Sequence, residues 1–290
     1  MFVGRTDMAI ERRDNLDKAT ASSLKGLECK TSREGDMEIT EIHVTDDEAS
    51  KALGKPLGTY ITIDLQKQWQ NDDDFILEVA HKLAHYIGPL LPKEGGILAV
   101  GLGNRHITAD ALGPMALEKL IITRHLRTQM PELFSSLREV SGFSPGVMGQ
   151  TGMEALELVK GTCKLIKPAA VVAVDALTAS SLTRLGTSFQ ISSSGIIPGE
   201  GAKNKRFALN ADTLKVPVIS VGVPTVTMAE TLVAGLTGKD ESASLPEGGF
   251  LVAPGDVDLL ISKSARAIGY GLNLALQGDM PVSDMEQLIS

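Results

Sequence analysis

The chain has 290 residues, 43% of them hydrophobic and 22% charged, with a formal net charge of -8. That composition supplies enough apolar surface for a large α/β core without disulfide or metal staples. The acidic balance argues against a general nucleic-acid binder, whose phosphate affinity comes from clustered Lys and Arg. Cys29 and Cys163 are the only cysteines. Two are too few for a disulfide framework or a thiolate metal site, and they suit a reducing cytoplasm. The N-terminal residues run quickly into charge and carry no apolar core of a signal peptide. No run approaches the roughly 18 apolar residues that span a bilayer. A soluble, cytoplasmic protein folded as a single domain over residues 1–290 is expected, without a membrane partner.

After a polar first segment, residues 58–65 alternate β-branched and polar side chains and read as a strand. Residues 72–87 follow with helical spacing at Phe75, Ile76, Val79, Leu83 and Ile87. Their acidic first turn suits the helix dipole. A buried strand over 97–100 precedes a helix that runs from 109 or 112 towards 126, with Pro114 tolerated in its first turn. Thr151-Gly-Met-Glu154 has the pattern of a capping box ahead of an amphipathic stretch that reaches Lys167 and stops at Pro168. The apolar strand that follows, from 169, carries Asp175 at its end. Residues 216–223 read as another buried strand, and Pro217 restricts its start to an edge or first-residue position. The Gly-, Ser- and charge-rich residues 237–249 read as a surface loop, and a last long helix opens at Pro254 and runs to about Leu276. Strands alternating with helices imply the α/β class: a three-layer α/β/α, phosphorylase/hydrolase-like arrangement around a mostly parallel central sheet covered on both faces.

The stretch from Ile97 to Pro114 carries the most chemistry. An apolar strand runs into the turn Gly101-Leu-Gly103-Asn104 and then delivers Asp110 to the start of a helix. Open α/β sheets build their sites there, beyond the carboxyl ends of the strands. Asp175 occupies the equivalent place on a second strand. A lone Asp at such a junction is often an N-cap, but two at equivalent strand ends point to paired-carboxylate chemistry. Neighbouring carboxylates cannot both ionise cheaply, so one becomes acid while the other becomes base.

Other motifs read more plainly. His106 stands where a dinucleotide fingerprint needs its third glycine, and the Gly195 to Arg206 segment lacks phosphate-loop spacing, so no nucleotide cofactor is expected. His81 and His85 sit at i and i+4 but are separated by Lys-Leu-Ala, without the Glu of a zinc protease, and read as a solvated helix face. His106, four residues before Asp110, reads as a turn residue. No metal site is expected.

These residues resemble the germination proteases of endospore-forming bacteria, endopeptidases that degrade small acid-soluble spore proteins. The resemblance rests on Arg5-Thr-Asp-Met-Ala-Ile-Glu11, Gly101-Leu-Gly-Asn104, Thr108-Ala-Asp-Ala-Leu-Gly-Pro114, the 144–152 and 174–177 segments, and stretches over 195–206, 218–225 and 268–275. It implies an atypical aspartic mechanism with Asp110 and Asp175 as the essential pair. Gly101, Gly103 and Asn104 would shape the backbone beside them. It also implies a zymogen that removes a short propeptide, here residues 1–7, by cutting between Asp7 and Met8. It implies small acid-soluble spore proteins as substrates, a homotetramer, and a place in the forespore and spore core. Because protonation relieves repulsion among carboxylates, self-processing should quicken as pH falls. A more distant resemblance to the hydrogenase-maturation endopeptidases, whose acidic residues contact a metal, leaves a metal-dependent endopeptidase as an alternative. A non-catalytic binder of spore proteins is another.

Overall fold

The computed structural model describes residues 5–16, 24–66, 69–198, 207–237 and 249–289. The loop expected over 237–249 and much of the 195–206 segment lie outside the described residues, as does the start of the expected propeptide.

The strands are β1 (Leu27–Glu34), β2 (Met37–Val44), β3 (Gly58–Leu65), β4 (Ile97–Gly101), β5 (Val140–Phe143), β6 (Ala170–Ala179), β7 (Ser188–Ser192), β8 (Val218–Met228) and β9 (Leu251–Val252). They form one nine-stranded sheet in the order β1-β2-β3-β7-β8-β6-β4-β5, with β9 paired to β8. The β8, β6, β4 and β5 strands are mutually parallel. From β1 to β8 each pairing is antiparallel. The sheet is therefore mixed: of its parallel half β4, β6 and β8 are the strands expected, with β5 added at the edge, and an antiparallel half that includes the expected β3 joins them. The outer edge of that antiparallel half comes from the polar first segment, where β1 and β2 form a hairpin closed at Gly35 and Asp36. β1 is solvated on both faces, so its sequence lacks the apolar alternation that marks a half-buried strand.

The labelled helices are α1 (Ala9–Asp14), α2 (Asp47–Leu53), α3 (Asp73–Ile87), α4 (Leu112–Leu117), α5 (Arg124–Gln129), α6 (Ala155–Ile166) and α7 (Val257–Gln277). They cover both faces. Ala99, Val172 and Val174 share a core with Leu83 of α3, Leu112 of α4 and Ile268 of α7, whereas Leu98, Val100, Val171 and Ala173 pack with Val159 and Cys163 of α6. Each buried Leu, Ile or Val contributes roughly 1.5–3 kcal/mol by leaving water.

Two helix expectations need correction. The helix towards 126 breaks after Leu117, and a separate α5 begins at Arg124. Asn273 of α7 causes the break: its Oδ1 accepts from Ile121 N at 2.9 Å and its Nδ2 donates to Lys119 O at 2.9 Å. These bonds replace continued helical pairing and turn Leu120 and Ile121 into the core. The second correction concerns the cap of α6, which lies three residues later than Thr151. Glu154 N donates to Glu157 Oε2 at 2.8 Å, while Thr151 closes a separate one-turn helix, Met148–Thr151. Pro217 does stand immediately before β8, but β8 is central, flanked by β6 and β7.

Candidate active site

From β4 the chain goes outward to β5, then returns to place β6 on the other side of β4. Connections thus leave β4 and β6 in opposite directions, and a crevice opens beyond their carboxyl ends. Asp110 and Asp175 both belong to it.

All of β4 is buried, and Leu102 N donates to Val174 O at 2.8 Å, which stitches the turn after β4 onto β6. Gly103 then takes φ +107°, and a Cβ there would meet Asp110 O at 2.1 Å. Only glycine accepts both the left-handed backbone and the contact. Gly101 is needed for close approach, since its Cβ would lie 2.4 Å from Gly113 O of α4. Residues Thr108–Asp110 form a single 3-10 turn, and Asp110 Oδ2 accepts from Asn104 N at 2.8 Å. Asn104 is itself fixed, because its Oδ1 accepts from His106 N at 3.0 Å and from Gln150 Nε2 at 2.7 Å. From β8, Thr225 Oγ1 donates to Ala109 O at 2.6 Å. The backbone N–H of Asn104 thus orients the Asp110 carboxyl group.

Asp175 lies within β6 and is 5% exposed. Its Oδ1 accepts from Ala176 N at 2.9 Å. Both aspartates line one cavity of about 340 Å³ with Gly103, Ala176, Thr178 and Thr225, and Leu102, Ile107, Val226 and Leu251 supply apolar wall. Among the described residues no group of three or more His, Cys, Asp or Glu side chains is placed to hold a metal ion.

His106 is exposed and does not line the cavity; His81 and His85 are exposed on α3. Asp7 and Met8, by contrast, are buried along with the whole Thr6 to Glu11 segment. Asp7 N donates to Thr178 O at 2.9 Å, and Asp7 Oδ2 accepts from Thr178 N at 2.8 Å. The Glu11 carboxylate receives Ser180 N at 2.6 Å, Ser180 Oγ at 2.8 Å and Ser181 N at 2.9 Å. Gln190 holds the middle of the segment: Nε2 donates to Asp7 O at 3.1 Å and Oε1 accepts from Ala9 N at 2.6 Å. Asp7, Gln190 and Gly222 line a second, smaller cavity of about 90 Å³. Sequence reasoning passed over Gln190, Ser180 and Ser181. Alternation in Ser188-Phe-Gln-Ile-Ser192 was the available signal, since it places a polar Gln on one face of a short strand.

A germination protease family model matches residues 3–237. The chain belongs to the germination protease family. The germination protease of Caldanaerobacter subterraneus subsp. tengcongensis is 38% identical over 319 residues, covering 98% of each chain. That of Clostridium tetani is 35% identical, covering 99% of each. The Bacillus subtilis germination protease is 41% identical over 240 residues, covering 80% of this chain and 65% of the relative. Among solved structures, a NiFe hydrogenase maturation protease, HycI from Thermococcus kodakarensis KOD1, aligns with 66% of this chain and 98% of its own at 17% identity and a TM-score of 0.38. Membership of the germination proteases makes the chain a hydrolase of peptide bonds with a role in spore germination. No described helix is long and apolar enough to cross a membrane.

Proposed function

We propose that this germination protease begins the degradation of small acid-soluble spore proteins, using Asp110 and Asp175 as a general acid/base pair within a single catalytic domain. The observation that carries this reading is the convergence of both carboxylates on one cavity, Asp110 from the turn beyond β4 and Asp175 from within the neighbouring parallel strand β6. The ionised partner takes a proton from water as its oxygen adds to the scissile carbonyl carbon. The protonated partner polarises the carbonyl and then supplies the proton that the departing amine needs. Gly101, Gly103 and Asn104 hold the Asp110 side of the site in place, and no cofactor is called for. In the same reading the chain is made as a zymogen and cuts itself between Asp7 and Met8. It works as a homotetramer in the forespore and spore core and makes no direct contact with nucleic acid.

The test is fragment mass spectrometry of a small acid-soluble spore protein incubated with a chain beginning at Met8, beside its Asp110→Asn and Asp175→Asn variants. Fragments far beyond stoichiometry from the parent and none from either folded variant are expected. Saturation at one substrate per chain would instead mark a binder. Activity abolished by thorough chelation and restored by one divalent metal would favour the metal-dependent alternative.

A further inference from the structure

Gln190 makes two hydrogen bonds that straddle one residue. Its donor reaches Asp7 O and its acceptor takes Ala9 N–H, so Met8 lies between them with no exposed surface. The orientation of the amide is fixed, since a peptide N–H can only donate and a carbonyl can only accept. The Asp7 carbonyl belongs to the bond proposed above as the self-cleavage site, and the inference rests on that reading.

The strand register adds an independent observation. Asp175 of β6 pairs with Gly222 of β8, and Gly222 pairs with Gln190 of β7. Residues in register share a face, and two strand spacings put the outer pair roughly 10 Å apart at Cα. The central position carries no side chain: a Cβ on Gly222 would meet Asp175 O and Leu177 Cγ, each at 2.7 Å. The row therefore presents a carboxylate at one end and an amide donor at the other, with the Leu177 side chain packed over the glycine between them. The Asp7 to Met8 peptide is held at the amide end, and Asp7 is pinned to Thr178, which also lines the cavity of the two aspartates. A clamp that merely glued the N-terminal segment would not need the in-register carboxylate.

We propose that Gln190 is the oxyanion donor for cleavage of the Asp7–Met8 bond. Water adds through oxygen to the Asp7 carbonyl carbon and loses a proton to an aspartate carboxylate. The carbonyl π pair becomes the oxyanion, which Gln190 Nε2–H binds. Collapse expels the Met8 nitrogen as it takes a proton from the carboxylic acid, and Gln190 is unchanged. Removing one such donor typically slows a reaction about 10²–10³-fold.

The experiment follows loss of residues 1–7 from the full chain by intact mass across a pH series, for the parent, Gln190→Glu and Gln190→Leu. The Glu substitution keeps an acceptor for Ala9 N–H but donates to Asp7 O only when its new carboxyl is protonated. At neutral pH it should process about a hundredfold more slowly than the parent, and the ratio should close as pH falls. Gln190→Leu should stay slow throughout. A Gln190→Glu variant that tracks the parent within about threefold at every pH overturns the proposal, as does a pH-independent deficit. Should Gln190→Leu fail to fold, the Gln190→Glu profile decides alone. A parent that never sheds residues 1–7 defeats the self-processing reading and this inference with it; a processing parent matched by its variants defeats only the inference.

Discussion

The two halves of the sheet divide the labour. In the parallel half each strand must be followed by a crossover, and this half carries both aspartates, Asp110 in the turn beyond β4 and Asp175 buried within β6. In the antiparallel half a hairpin returns the chain at once, and its inward positions act as a platform. Ile42, Val44 and Tyr60 bury the Met8 and Ile10 side chains, and Gln190 grips the backbone between them. In the proposed mechanism the reactive carboxylates thus come from the crossover side and positioning from the antiparallel side. The N-terminal segment bridges the two, with Thr178, Ser180 and Ser181 on one flank and Gln190 on the other.

This division can be broken from either side. The largest effect should come from the crossover half: Asp110→Asn or Asp175→Asn should lower turnover of a spore-protein substrate by about 10³-fold or more with an unchanged urea midpoint. A shifted midpoint would mean that the aspartate is structural. Next, Gly103→Ala should cost about 3 kcal/mol in urea unfolding, because it forces a non-glycine residue into φ +107° against Asp110 O. It should also depress turnover, since the Asp110 carboxylate moves with its backbone. A smaller effect is expected on the platform side. Glu11→Gln replaces one of the two oxygens that together accept three donors with an NH2, and should cost about 2 kcal/mol. Limited proteolysis should then open the chain near residues 5–16 while the aspartate cavity stays closed; protection equal to the parent's would sink that assignment. The smallest effect concerns the thiols. Burial pushes both thiols above their ordinary pKa, but Cys29 is exposed on the hairpin while Cys163 is buried on the crossover side, so mild alkylation should label Cys29 first, by peptide mapping.

In the parallel half β4, β6 and β8 were legible because they are buried on both faces and read as apolar runs between helices, whereas β5, a four-residue edge strand that is partly exposed, was not. Asp110 and Asp175 could be singled out for the same reason, each being a carboxylate at the end of such a run. In the antiparallel half only β3, read over residues 58–65, was legible. β1 is polar on both faces, and β7 is a five-residue strand whose pattern is too short to count. The early stop of α4 depended on Asn273, more than 150 residues on, which no local propensity encodes. Gln190 was invisible for a related reason: its significance lies in a register with Gly222 and Asp175, and register across three strands is not a property of any one of them.

The anchoring of the N-terminal segment bears on when that peptide first exists as a defined object. Thr178 grips Asp7 across 171 residues, Ser180 grips Glu11 across 169, and Gln190 grips Asp7 across 183. Closing loops of that length is entropically costly and must await contacts elsewhere. The pocket around Met8 therefore does not form until β6, β7 and the intervening chain are in register. A nascent or partly folded chain carries the same residues but not the same environment. Any chemistry confined to that environment is a molecular proofreader, acting only on chains that have completed assembly from their first described residues to their eighth strand.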